Sequence, residues 1–240
     1  MSQPSSPPNA PFPPKLSLVV SSEHHSGAIA IYAFSPNRNT MGGTAYLVTT
    51  SDGNILVDCP PWDTTVAAML EQYGGVRWFV ITHRSGIGGI TTVKQIQAQY
   101  GCEVVIQEQE AYLLPELSLY PFQQRLTLTD ACSLLWTPGH SPGSACLYLG
   151  IEGGILFTGR HLLPNPQGEL MPLRMAKTFH WPRQLRSVQR LLDEFSPDTL
   201  QMGCPGANTG FLRKQRVVRQ VYQQLLSLDL AALRMVQPGL

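Results

Sequence analysis

The chain has 240 residues, of which 43% are hydrophobic and 14% are charged. A chain of this kind can bury one sizeable core and is close to the upper size of a single domain. The formal net charge is +1 and no long basic or acidic run occurs, so the composition argues against nucleic acid or an anionic membrane as a partner. No stretch approaches the roughly 20 consecutive apolar residues of a bilayer span.

The chain begins with a proline-rich segment. Residues 1–14 contain six prolines and few apolar side chains, and such a segment cannot bury enough surface to offset its ordering entropy. It also lacks the basic start and the apolar stretch of a secretory signal. We therefore predict a disordered tail over residues 1–14 and one folded domain over residues 15–240.

Short apolar runs bounded by turn residues predict four strands in the next part of the chain. The sequence Ser51-Asp52-Gly53-Asn54 is typical of the hairpin turn that joins two antiparallel strands. The predicted strands span residues 16–21, 29–34, 44–49 and 54–58.

Two amphipathic helices are predicted around a buried strand. Residues 62–73 and 90–100 carry apolar side chains at helical spacing, and each run is followed by glycine. Between them, Trp78-Phe79-Val80-Ile81 is continuously apolar, as expected of a strand that is buried on both faces. A further strand is predicted at residues 104–106.

The second half of the chain repeats the alternation of strands and helices. Strands are predicted at residues 133–136, 144–149, 154–158 and 199–202, and helices at residues 182–195 and from residue 213 onward. Two successive blocks of strands followed by helices predict an α/β fold, a four-layer αββα sandwich of two sheets with helices on both outer faces.

Five cysteines occur in the chain, an odd number with no CxxC pair. Because disulfides form in oxidising compartments, we interpret these residues as free thiols in a reducing one. A cytoplasmic location is the corresponding expectation.

Five segments in order resemble the metallo-β-lactamase superfamily, which includes hydroxyacylglutathione hydrolases, lactonases and nucleases. The resemblance covers roughly residues 28–210 and implies the αββα sandwich already expected. The segments are TAYLVTTSDGNILVDCP, WFVITHRSGIGGI, WTPGHSPGSACLYL, ILFTGRHLL and MGCPGANTG.

The resemblance does not extend to most of the metal ligands. His83 matches the first histidine of the family's Thr-His-x-His-x-Asp-His loop, and His140 matches the next ligand histidine. The remaining positions carry other residues, and Arg160 replaces the aspartate that bridges the two metal ions. The other replacements are Ser85, Ile87, Gly88 and Ala207.

These replacements oppose metal binding for chemical reasons. A catalytic zinc normally needs three protein ligands drawn from histidine, carboxylate and thiolate. Arginine is permanently charged, and at about 4 Å and an effective dielectric constant of about 20 it would repel a divalent ion by roughly 8 kcal/mol. We therefore expect no metal site and no zinc or iron at stoichiometric occupancy.

The cleft implied by the resemblance carries groups that suit an anion. Arg84 and Arg160 are cations, and Gly86, Gly88 and Gly89 could present backbone amides at the start of the helix from residue 90. A tight strand-to-helix turn is the alternative explanation of these glycines. The predicted ligand-binding residues are Arg160, Arg84, Ser85, Asp58 and Asn208.

His83 and His140 have two interpretations. They are either a remnant catalytic pair or residues that pack and form hydrogen bonds in the cleft. Asp58, the family's aspartate at a strand end, is expected to support the loop from behind. His161 could be recruited as a ligand, but strand alternation would direct it away from the cleft.

Three hypotheses about function remain open. The first is a non-catalytic or metal-independent protein whose cleft binds an anionic small molecule or a protein partner. The second is a hydrolase of an ester or thioester that uses His83 and His140 with an atypical or mononuclear site. The third is a thiol redox protein acting through Cys59 and Cys204, which are otherwise ordinary buried cysteines. A homodimer is possible, and neither nucleic acid nor a membrane is expected.

Overall fold

The structure is a computed structural model that describes residues 16–24, 27–212 and 215–239. The tail predicted over residues 1–14 lies outside the described residues. The remainder contains two large sheets, a small two-stranded sheet and five α-helices among the described residues.

The first large sheet has seven strands in the order β1 to β7. The first four pair antiparallel, and β4 to β7 pair parallel. Its strands are β1 (Ser17–His24), β2 (Gly27–Ala33), β3 (Tyr46–Thr49), β4 (Ile55–Val57), β5 (Trp78–Ile81), β6 (Glu103–Gln107) and β7 (Leu119–Phe122).

The second large sheet has six strands in the order β15-β14-β11-β10-β9-β8. Its strands are β8 (Arg125–Thr129), β9 (Cys132–Trp136), β10 (Ala145–Leu149), β11 (Ile155–Gly159), β14 (Met202–Pro205) and β15 (Val218–Arg219). The short strands β12 (Leu163–Pro164) and β13 (Leu170–Met171) form the two-stranded sheet.

The helices cover the outer faces of the two sheets. Apolar residues of α1 (Thr64–Gln72) and α2 (Ile90–Tyr100) pack in one core cluster with the first sheet. Those of α3 (Trp181–Glu194) and α4 (Val221–Leu226) pack in another cluster with the second sheet. A third cluster lies between the sheets. These layers confirm the predicted αββα sandwich.

Strand β5 shows why the sequence folds in this way. Its four residues are all buried, and their side chains alternate between two core clusters. Trp78 and Val80 belong to the cluster between the sheets, whereas Phe79 and Ile81 belong to the cluster under α1 and α2. A strand covered on both faces needs apolar residues at every position, as the sequence predicts.

Several boundaries differ from the sequence prediction. The strand predicted at residues 199–202 is wrong, because Thr199 and Leu200 both donate to the Ser196 carbonyl in a turn, and the strand begins at Met202. The closing helix predicted from residue 213 begins instead at Val221, after Gln220 in a left-handed conformation, and is followed by α5 (Leu230–Arg234). The strands β7 and β8 are absent from the prediction.

None of the helices within the described ranges is both long enough and apolar enough to cross a bilayer.

Candidate functional site

The turn after β4 places Asp58 beneath the loop that follows β5. Asp58 is buried and has a positive φ of 57°, a conformation that aspartate tolerates better than most residues. One carboxylate oxygen accepts from the Thr82 backbone N–H at 2.8 Å, and the other accepts from the Thr82 hydroxyl at 2.7 Å. The carboxylate therefore fixes the start of the loop, as predicted for a supporting residue.

Thr82 in turn orients the imidazole of His83 through a hydrogen bond. The Thr82 Oγ1 lies 2.9 Å from His83 Nδ1. Because the single hydroxyl proton of Thr82 is donated to Asp58, its oxygen must accept from His83, which places the imidazole proton on Nδ1. The other nitrogen, Nε2, then carries a lone pair, and it is buried with no hydrogen-bond partner in the part of the chain that the structure describes.

His140 belongs to a loop of the second sheet and lies next to His83. Its loop follows β9 and is tied to the start of α3, since Phe179 N–H donates to the His140 carbonyl at 3.1 Å and His180 N–H donates to the Gly139 carbonyl at 2.9 Å. The ring centroids of His83 and His140 lie 5.6 Å apart. The two histidines matched by the resemblance are thus neighbours in the folded protein.

Both imidazoles are held in the neutral form. Burial lowers the pKa of His83 well below its usual value, and the charges of His140, Arg160 and Arg84 lower it further. Burial lowers the pKa of His140 to about 4, with further contributions from Arg160 and Arg84. The two guanidinium groups therefore act on the same pair of histidines, and near neutral pH the cations at the site are the arginines.

Arg160 follows β11, and its side chain contacts residues of the first half of the chain. Its Nη2 donates to the carbonyls of Thr40 and Met41, both at 3.0 Å, while its buried Nε has no hydrogen-bond partner within residues 16–24, 27–212 and 215–239. Burial lowers the pKa of Arg160 and the carboxylate of Asp58 raises it. The side chain therefore fastens the turn at residues 40–41 to the end of β11.

Two opposing effects act on the pKa of Asp58. Burial raises its pKa to about 6, against the lowering effects of the Thr82 hydrogen bonds and of Arg160. At pH 7 the carboxylate is therefore mostly ionised and balances part of the arginine charge.

Arg84 lies at the rim of the site, with its side chain 43% exposed. Its Nε is 3.4 Å from an oxygen of the buried Glu110. Burial raises the pKa of Glu110, and Ser141, Gly143 and the charge of Arg84 offset only part of that rise. Arg84 also lines an open groove of about 490 Å³ that reaches the first residues of α2. The groove is lined by Asn39, Met41, Arg84, Ser85, Ile87, Gly88, Gly89, Ile90, Leu113 and Lys177.

Ser85 and Asn208 occupy different places. Ser85 lines the groove beside Arg84, and its role in ligand binding stays a prediction. Asn208 is half-buried, and its side-chain oxygen accepts from the Gly210 N–H at 3.0 Å. Asn208 therefore closes a local turn, and its role in ligand binding stays a prediction.

His161 lies in the interior of the protein, next to α3. It is fully buried, and neither ring nitrogen has a hydrogen-bond partner among the described residues. The Gln184 side chain of α3 donates to the His161 carbonyl at 2.8 Å. Burial lowers the pKa of His161 to about 3, with His140 and Arg190 adding to the effect. The recruitment of His161 as a ligand stays a prediction.

The cysteines do not form the pair that a redox function needs. Cys59 belongs to the core cluster under α1 and α2, whereas Cys204 belongs to the cluster between the sheets. Both are free and buried, and burial raises the pKa of Cys59 to about 12 and that of Cys204 still higher. A thiolate is the reactive form of cysteine, so the structure argues against the redox hypothesis.

The residues at the site do not fit a dinuclear metal centre. Within residues 16–24, 27–212 and 215–239, no three His, Cys, Asp or Glu side chains are grouped as metal ligands would be. Gly88 could not be replaced by a ligand without rearrangement, because its φ is +69° and a Cβ there would lie 3.0 Å from the Cβ and Sγ of Cys59.

Comparison with solved structures identifies the fold. A metallo-β-lactamase from Staphylococcus aureus subsp. aureus COL superposes with a TM-score of 0.61 at 14% identity, covering 91% of this chain and 68% of the other. The DIM-1 metallo-β-lactamase gives 0.63 at 16% identity, covering 91% and 100%. TTHA1623 in a di-iron-bound form gives 0.55 at 20% identity, covering 73% and 94%. No protein-family model and no curated protein matches the sequence.

The chain therefore has the metallo-β-lactamase fold. It carries two of the ligand histidines that the sequence resemblance implies, and an arginine stands at the position of the bridging aspartate.

Proposed function

We propose that this protein binds an anionic small molecule in the metallo-β-lactamase cleft and works without the dinuclear metal centre. The observation that carries the proposal is the groove that Arg84 and Lys177 line at the start of α2, with the charges of Arg84 and Arg160 also lowering the pKa values of His83 and His140. Guanidinium groups bind carboxylates and phosphates through two parallel hydrogen bonds. Charge of this sign suits an anionic ligand and opposes a divalent cation.

The groove lined by Arg84 and Ser85 supports the same ligand class. It joins Arg84 and Lys177 to Gly89 and Ile90 at the start of α2, and the cap residue Gly89 supplies no side chain to the free amides of that helix. Unpaired amides at a helix start favour negative charge. Glu110 offsets part of the charge of Arg84, which leaves Lys177, Arg160 and the helix start to favour an anion.

Ligand binding is tested by calorimetric titration with citrate and with inorganic phosphate. We expect saturable binding to the natural protein and a loss of about 10- to 100-fold in affinity for Arg84→Gln, since a hydrogen bond to a charged group contributes roughly 1.5–3 kcal/mol. Arg160→Gln should lose less affinity, because the Arg160 Nη2 is bound to the Thr40 and Met41 carbonyls and only the charge of the side chain favours the anion, and circular dichroism checks that the variant still folds. Arg234→Gln, an exposed substitution on α5, is the matched control. Equal affinity in all four proteins would contradict the proposal.

Metal analysis tests the other half of the proposal. Purified protein should contain well under one zinc or iron per chain, because the site offers too few suitable donors. The variant Arg160→Asp with Ser85→His and Ala207→His should gain zinc while Gly88 is left unchanged. A stoichiometric metal in the natural protein would overturn this half of the proposal, and binding of citrate would still be measured independently.

A second candidate function is metal-independent hydrolysis of an ester or thioester. The chain of hydrogen bonds from His83 through Thr82 to Asp58 favours it, because it orients the imidazole with a free lone pair, as a general base requires. The lowered pKa of His83 makes it a weak base, so we expect slow turnover. Hydrolysis of p-nitrophenyl acetate by the natural protein but not by His83→Gln would support this candidate, and equal rates would exclude it.

A further inference from the structure

Helix α3 presents three arginines along one side. Arg183, Arg186 and Arg190 are spaced by three and then four residues, so they follow one face of the helix over about 10 Å. Arg186 and Arg190 are exposed and Arg183 is half-buried. In the part of the chain that the structure describes, none of the three forms an ion pair with a carboxylate.

The acidic residues at the end of α3 interact with residues other than the three arginines. Glu194 pairs with Arg125 of β8 at 2.6 Å, and Asp193 accepts from the Gln189 side chain at 2.9 Å. The arginine face is therefore a short positive strip that ends where the helix becomes acidic. Its charge is available for a partner outside the chain.

The three arginines border a groove with an apolar floor. The groove has a volume of about 340 Å³ and contains Trp136 and Pro138 together with the arginines. The indole of Trp136 is held by a 2.8 Å hydrogen bond from Nε1 to the Pro142 carbonyl, and the guanidinium of Arg183 lies 4.8 Å from its ring centroid. Both the floor and one of the cations are thus fixed in advance, which lowers the entropy cost of binding.

We infer that this arginine face is a docking site for a short acidic peptide segment of a partner protein. Acidic side chains at alternate positions of an extended segment lie on one side about 7 Å apart, within reach of successive arginines. An apolar residue between them would contact Trp136 and Pro138. The site is separate from the cleft, whose groove is lined by other residues.

The distribution of charge favours a peptide over nucleic acid. Nucleic-acid affinity depends on neutralising many phosphates along a path, whereas this strip has three arginines and is followed by Asp193 and Glu194. The net charge of the whole chain is only +1. A short ligand with a few carboxylates and an apolar residue matches both the extent and the composition of the groove.

Fluorescence anisotropy with a labelled peptide, carrying aspartates at alternate positions around a central leucine, tests this inference on the full chain. We expect saturable binding that weakens at least about tenfold in Arg186→Gln/Arg190→Gln. The matched control Arg219→Gln changes an exposed arginine of β15 and should bind normally. An asparagine version of the peptide should bind weakly or not at all.

Three outcomes would overturn the inference. They are the absence of peptide binding, equal binding by the natural and doubly substituted proteins, and tighter binding of single-stranded DNA with a steep salt dependence. Because Arg186 and Arg190 are exposed, their replacement should leave the folded state intact, and a thermal melt of each variant checks this. Citrate binding in the cleft should be unchanged in Arg186→Gln/Arg190→Gln, which separates this site from the proposed function.

Discussion

Gly139→Ala will destabilise the protein by about 3 kcal/mol or more, since it combines overpacking with backbone strain. A Cβ at this position would lie 2.3 Å from both the backbone N and the Cα of Gln184, and Gly139 has a φ of +145°. The atoms it meets belong to the backbone of α3, so they cannot move aside without moving the helix. The substitution should also separate His140 from His83, because the Gly139 and His140 carbonyls anchor that loop to the residues before α3.

Urea unfolding followed by circular dichroism measures this effect. The matched control is Gly150→Ala, where the nearest atoms to an added Cβ lie at 3.5 Å or beyond and φ is not in the left-handed region. The control should change the free energy of unfolding by less than about 1 kcal/mol. If Gly139→Ala were as stable as the control, the contact between the His140 loop and α3 would be looser than the structure describes.

Much of the fold could be read from the sequence because its elements have strong local patterns. The continuous apolar run of β5 and the helical stripe of α2 predict those elements at the observed bounds. The weaker elements were missed for equally local reasons. Strand β7 is interrupted by Pro121, and β8 is partly exposed with alternating threonines, so neither shows the apolar run of a buried strand.

The site was predictable only where the resemblance supplied a position for each residue. His83 and His140 are far apart in sequence, and their proximity follows from the arrangement of the two sheets. The anchoring of Arg160 on the Thr40 and Met41 carbonyls depends on contacts across about half the chain. No local pattern marks such contacts, and the same holds for the burial of His161 behind α3.

For the arginine face, the sequence shows the residues but not the docking site. Its three residues stand at visible helical spacing in the sequence, but a row of charges on a helix is usually a solvated surface. Only the structure brings Trp136 and Pro138 beneath them. A docking site therefore becomes recognisable when the apolar floor and the absence of ion pairs in the described residues are known.

Lowering the pH from 7.5 to 5 will destabilise the protein by about 3 kcal/mol through His140, His161 and Asp58 together. The lowered pKa of His83 adds to this loss, while the raised pKa of Glu110 opposes it. The pKa values of His140 and His161 are lowered to about 4 and about 3, so the unfolded chain takes up protons first as the pH falls below about 6.5. The contribution of these two histidines to the free energy of unfolding is therefore highest above about pH 6.5, and it falls as the pH approaches their lowered pKa values. Each should cost about 2 kcal/mol at pH 5. Asp58, whose pKa is raised to about 6, opposes this loss by roughly 1 kcal/mol as it becomes protonated.

Urea unfolding at both pH values measures the loss, and His161→Leu identifies its source. Because neither nitrogen of His161 has a hydrogen-bond partner in the described part of the chain, leucine should cost little at pH 7.5. The variant should then lose about 2 kcal/mol less than the natural protein on acidification. His180→Gln, which changes an exposed histidine before α3, should retain the full loss. An unchanged pH dependence in His161→Leu would show that this imidazole is not held neutral by burial, and the acid sensitivity would then have to originate elsewhere.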